Sequence, residues 1–81
     1  MPASALEVLG RKIREVRLER GLTQERLAEL CEMHHNHISS VERGITNPTF
    51  VALLRIARAL DVSVTYLFED FTQTAVRRLK L

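Results

Sequence analysis

Cysteine is all but missing from this 81-residue chain; Cys31 stands alone. A lone thiol has no partner for an internal disulfide, so a reducing, cytoplasmic setting is expected. Long hydrophobic runs are missing too. No window is long or apolar enough to span a bilayer. Near the N-terminus the charges Arg11 and Lys12 follow the weak apolar run instead of preceding it, which is not a secretory-signal pattern. The chain shows no strand-like alternation of apolar and polar residues, no repeat and no low-complexity segment. The groupings enzymes need are also lacking. There is no Ser/His/Asp arrangement, no glycine-rich phosphate loop and no Cys/His pair with room for a pocket, and the chain is too short for a sizeable cleft. An enzyme is therefore not expected.

Charge of one sign is scarce. Twelve Lys and Arg against ten Asp and Glu leave a formal net charge of +2, a weak attraction for a polyanion. The distribution is uneven. Residues 1–20 hold five basic side chains against three acidic, residues 21–46 hold two against four, and residues 47–81 hold five against three. Attraction to phosphate would have to come from the flanks of the acidic middle. Apolar material is plentiful at 46 %, enough for one domain over 1–81 with its core at about 4–71 and a C-terminal tail at 72–81. Such a core contributes only about 3–5 kcal/mol, so a partner subunit would help.

Helical spacing predicts five helices. Leu6, Leu9, Ile13 and Val16 make one buried stripe from about Ser4 to Arg20, with Arg11, Lys12, Arg14, Glu15 and Glu19 on a solvated face and Gly21 as the stop. The second helix starts at Thr23, where Leu22 and Leu27 can staple; Arg26 at the third helical position rules out a reciprocal capping box. Its apolar positions are Leu27, Ala28, Leu30 and Cys31. The third has two candidate caps, Asn36 and His34. His34 is favoured because Met33 can then staple onto Ile38, and Gly44 ends the helix. Asn47-Pro48 reads as the start of the fourth, with Phe50, Leu53, Leu54, Ala57 and Leu60 buried, Arg55 and Arg58 outward, and Asp61 at its end. The fifth begins at Ser63 and carries Tyr66, Leu67, Phe68 and Phe71. The tail has no strong cap and reads as an extension, an arm or a disordered end. The stretch Leu22–Gly44, two short helices around a tight break, has the shape that fits a DNA major groove.

At Gly21-Leu22-Thr23-Gln24, Leu27-Ala28, Ile38, Val41-Glu42-Arg43-Gly44, Asn47-Pro48 and Leu54 through Leu67, the chain resembles the Cro/repressor type of helix-turn-helix regulator, the xenobiotic-response-element family. The resemblance covers roughly residues 9–68. In length and single-domain form it is most similar to the controller proteins of restriction–modification systems. The resemblance implies an all-α, five-helix, lambda-repressor-like fold that binds double-stranded operator DNA through the second and third helices. It places Gln24 against a phosphate, with Thr23 also among the DNA-binding residues, and base contacts on His34, His35, Asn36 and Ser40, with His37 and Ser39 beside them. Arg43 and Asn47 fall to the DNA backbone, and Arg17 and Glu42 to a structural ion pair that fixes the angle of the reading helix. The histidines and Asn36 stand where the family more often has Arg, Gln, Ser or Tyr, so the operator sequence does not carry over.

Tyr66, Leu67, Phe68 and Phe71 are more apolar surface than one short helix buries, which predicts a homodimer with reading helices about 34 Å apart. Cys31, His34, His35 and His37 have ligand-like spacing, but the apolar stripe places Cys31 in the core and adjacent histidines on a helix diverge by about 100°. No metal, cofactor or small-molecule effector is expected, and control is expected to come through concentration. The histidines also suggest DNA affinity that weakens as pH rises from 6 to 8. The alternatives are an antitoxin-like protein that binds DNA and a toxin, and a helical protein-binding module.

Overall fold

Each helix in this chain begins at a side chain that accepts a hydrogen bond from its own first turn. The computed structural model describes residues 4–81, so Met1, Pro2 and Ala3, the head of the expected domain, lie outside the described residues. The helices are α1 (Ala5–Glu19), α2 (Gln24–Cys31), α3 (His35–Glu42), α4 (Phe50–Leu60), α5 (Val64–Leu67) and α6 (Gln73–Arg78). Their caps are Ser4, Thr23, His34, Thr49, Ser63 and Thr72, all in extended backbone. First-turn N–H groups have no partner inside a helix, so the position of each acceptor sets where the helix starts. The described residues contain no strand. Gly21 and Gly44 close α1 and α3 with φ of +70° and +73°, and Glu32 and Asp61 cap α2 and α4 in the same left-handed region.

Two boundaries differ from the sequence reading. The fourth helix starts at Thr49 and not at Asn47, because the Thr49 hydroxyl accepts the Ala52 amide at 3.1 Å. Pro48 is buried just outside the helix. The described residues form six helices and not five. After α5 the chain turns through Glu69 and Asp70, and Thr72 then caps a new helix by accepting the Ala75 amide at 3.1 Å. The cap at Thr72 gives little sequence signal because no apolar stripe follows it, and α6 buries nothing.

Ile13, Leu27, Ile38, Ile56, Leu60 and Leu67 are fully buried, with Val16, Val41 and Cys31 beside them. α1 lies across α3, α2 sits between α3 and α4, and α5 ties α4 back to α1. Burial turns the Cys31 thiol inert. Its pKa is pushed up to about 11, and Sγ lies 3.7 Å from the Arg55 carbonyl oxygen on α4. The later start of α4 puts its buried stripe on Ala52, Leu53, Ile56, Ala57 and Leu60. Phe50, 62 % exposed, and Leu54, 41 %, are therefore outside, as is Leu30 of α2. Lys12 departs in the opposite direction. It is buried, its ammonium on Glu69 and 4.7 Å from the centroid of the Tyr66 ring, so it clasps α1 to α5.

Candidate nucleic-acid interface

The helix α3 is fixed from behind by polar bonds as well as by packing. Arg17 of α1 donates to Glu42 at the end of α3 through two of its three guanidinium nitrogens, Nε to Oε2 at 2.6 Å and Nη2 to Oε1 at 3.0 Å. Its remaining arm, Nη1, donates to the Leu22 carbonyl at 2.8 Å, in the loop that leads into α2. Gln24, the first residue of α2, donates from Nε2 to the same Glu42 Oε1 at 3.1 Å. Both charges are nearly inaccessible, and no buried side-chain polar atom among the described residues is left without a partner. One carboxylate thus joins α1, α2 and α3. A planar guanidinium suits this role because it fills two carboxylate oxygens and still has a donor for the backbone.

Steric fit acts at the same crossing. Gly10 faces the end of α3, where a Cβ would sit only 2.5 Å from the Glu42 carbonyl oxygen and would also strike that of Val41. At Gly44 an added Cβ would lie 2.7 Å from the backbone of Glu7. The backbones of α1 and the α3 terminus therefore meet without side chains between them. Gly10 and Lys12 are the two positioning residues that sequence reasoning missed. The available signal for the first was a glycine inside a strong helical pattern, which usually marks a close approach.

On the outer side, α3 opens with exposed side chains. His34, His35 and Asn36 are exposed, while His37, Ser39 and Ser40 are half-buried. His34 caps the helix, its Nδ1 accepting the Asn36 amide at 3.1 Å. Its ring stacks on that of His35 at 5.0 Å between centroids. At the far end, exposed Arg43 reaches back to the Ser39 carbonyl at 3.3 Å. Asn47 is exposed in the loop before α4. The Thr23 hydroxyl is committed to the Arg26 amide at 3.0 Å, leaving only backbone groups of α2's first turn for another acceptor. Ion pairing also softens the acidity counted for residues 21–46. Glu42 is neutralised by Arg17 and Glu29 meets Arg26 at 3.0 Å, which leaves Glu25 and Glu32 as the unpaired carboxylates of that stretch.

The residues assigned to dimer contact do not form one surface. Leu67 is completely buried in its own subunit and is unavailable to a partner. Phe68 and Phe71 are half-buried and meet edge to face. With Ala5, Leu6, Leu9 and Leu53 they line an apolar groove of about 430 Å³. Tyr66 is exposed, under the Lys12 ammonium.

A short helix, a break at Glu32–His34 and a second short helix with an exposed first turn make a helix-turn-helix unit. Residues 13–67 match the family model described as Helix-turn-helix. The chain belongs to that family. It is 38 % identical over 66 residues to the control protein C.BamHI of Bacillus amyloliquefaciens, spanning 80 % of each chain. It is also 36 % identical over 65 residues to an uncharacterised helix-turn-helix regulator, RC0668, of Rickettsia conorii; the match covers 80 % of this chain but spans only about half, 52 %, of that relative's length. The crystal structure of the restriction–modification controller protein C.AhdI from Aeromonas hydrophila superposes with a TM-score of 0.77 at 40 % identity, covering 78 % of this chain and 96 % of that one. The Cro/repressor-type resemblance and its likeness to restriction–modification controllers thus hold in both sequence and fold.

Proposed function

We propose that this chain is a sequence-specific transcription regulator that binds double-stranded DNA in the cytoplasm as a homodimer, on a palindrome-like operator near its own promoter. The control proteins among its relatives support the finer reading, a controller of a restriction–modification system. The observation that carries the proposal is the exposed first turn of α3 on a helix whose far end is bolted to α1 by Arg17 and Glu42. Such a unit presents hydrogen-bonding side chains at a fixed angle, as major-groove reading requires. His34, His35, Asn36 and Ser40 are assigned to bases, with His37 and Ser39 at the edge of the contact. Asn36 has the two-fold pairing that adenine N6 and N7 accept. Gln24, Arg43, Asn47 and the amides of α2 after Thr23 are assigned to phosphates, which set register without carrying sequence information. Occupancy follows dimer concentration.

The test is selection of bound sequences from a random DNA pool. The expected motif has two-fold symmetry, with half-sites about 10 base pairs apart centre to centre. Absence of any enriched motif defeats the DNA reading, and a motif without symmetry defeats the homodimer.

A further inference from the structure

His34 is occupied at one nitrogen, and this decides what the other can do. From extended backbone at φ −69° and ψ 142°, its Nδ1 accepts the Asn36 amide and closes the start of α3. A ring nitrogen that accepts a hydrogen bond carries no proton, so the neutral ring must hold its proton on Nε2. The cap bond is the ring's only hydrogen bond among the described residues. Stacking on His35, with ring planes 23° apart, opposes rotation of the imidazole away from that bond. The carboxylates facing the pair, Glu25 and Glu29 of α2, share a surface groove with the two histidines and Met33. They are acceptors and do not compete for Nδ1.

We propose that the cap bond makes His34 a donor-only reader of the operator. Its Nε2–H selects a base that offers an acceptor on its major-groove edge, namely guanine N7 or O6, adenine N7 or thymine O4, over cytosine, whose edge offers only the N4 amino donor. This deepens the DNA reading above and rests on it. An uncommitted histidine would present a donor in one tautomer and an acceptor in the other, and would discriminate poorly. Here helix capping and base choice share one ring. Protonation would turn Nδ1 into a donor and end the cap, so the lock belongs to the neutral ring.

Two measurements test it. The first is long-range ¹H–¹⁵N correlation of the imidazoles in the free protein at pH 8, where unperturbed rings are neutral. The expected pattern for His34 is the Nε2–H tautomer. An Nδ1–H pattern, or a rapidly averaged one, overturns the proposal. The second repeats the random-pool selection with His34→Ser, which retains a good cap while shortening the side chain. At one position per half-site cytosine should be disfavoured by about tenfold against guanine, adenine or thymine in the unmodified protein, and the variant should lose that discrimination. A preference for cytosine at that position, or no position altered by the variant, overturns the proposal. If the unmodified protein enriches no motif, the DNA reading fails, while the NMR measurement still decides the tautomer.

Discussion

At the residue scale, the crossing of α1 over α3 depends on one missing methyl group. Ala is ordinarily the better helix residue, so Gly10→Ala would stabilise an isolated helix by up to about 1 kcal/mol. Here the added Cβ would strike backbone carbonyls, which cannot rotate aside as a side chain would. Overpacking of this kind costs about 1–3 kcal/mol, so the net expectation is destabilisation with α3 displaced. Urea denaturation and operator titration of the variant check both parts; a more stable protein with unchanged affinity would refute the tight crossing. Gly21→Ala is the contrast. That position meets nothing within 4 Å, so its penalty comes from φ of +70° alone, about 1–2 kcal/mol, with no displacement of α3. The sequence revealed a glycine inside a helix, but the partner it approaches lies about thirty residues away and only the fold brings it near. His34 was legible because its evidence was local, with Met33 and Ile38 placed to pack around one start. Asn47-Pro48 misled for the same reason: a locally good start lost to Thr49, whose register buries Ile56 and exposes Phe50 and Leu54.

At the element scale, the angle of α3 is held by one buried ion pair that local patterning could not have joined. Arg17 and Glu42 belong to different helices and came together in the sequence reading only through family resemblance. Removing either partner leaves a nearly inaccessible charge without compensation, which costs about 3–5 kcal/mol. Arg17→Met and Glu42→Leu should each lower stability by that order, and the double variant should recover much of it, since apolar replacements can pack where a pair was. Affinity should behave differently. The double variant no longer has the carboxylate that ties Gln24 and Arg17 to α3, so operator binding should remain weakened after stability returns. Chemical denaturation beside operator titration on the same three proteins separates the outcomes; affinity that recovers with stability would reduce the pair to a structural rivet. A second tie, Lys12 to Glu69 and Tyr66, holds α5 against α1 and predicts a pH signature. Its hydrogen bond with Glu69 raises the Lys12 pKa above the ordinary 10.5. A raised value means the charged form is favoured in the fold. The contribution is therefore complete below 10.5 and disappears as pH climbs through the raised value. The stability difference between the protein and Lys12→Met should stay flat from pH 7 to 9 and change only above that range.

At the scale of the whole molecule, the chain measures 35 × 22 × 22 Å and contains one copy of α3, the helix proposed to read DNA. Successive major grooves on one side of a duplex lie about 34 Å apart, so engaging both takes a second copy rather than a second part of the same copy. The apolar groove between α1, α4 and the end of α5 is the surface we assign to that contact. Phe68 and Phe71 line it while remaining half-buried, and their burial against the core holds the groove open without filling it. The aromatic content of this segment is legible in the sequence but its division is not, because Leu67 and Phe68 are neighbours and only packing decides which turns inward. Placing a charge at the rim should separate the copies while leaving each folded, since an unpaired carboxylate remains solvated on a monomer and is desolvated in a closed interface. Phe71→Glu is therefore expected to sediment as a monomer at tens of micromolar, where the unmodified chain is expected to sediment as a dimer, with its helical circular-dichroism signal retained. Its operator affinity should then depend steeply on protein concentration, because DNA must assemble the pair that solution no longer supplies. A folded Phe71→Glu that stays dimeric would move the interface elsewhere, with the exposed Phe50, Val51 and Leu54 of α4 as the next surface to probe.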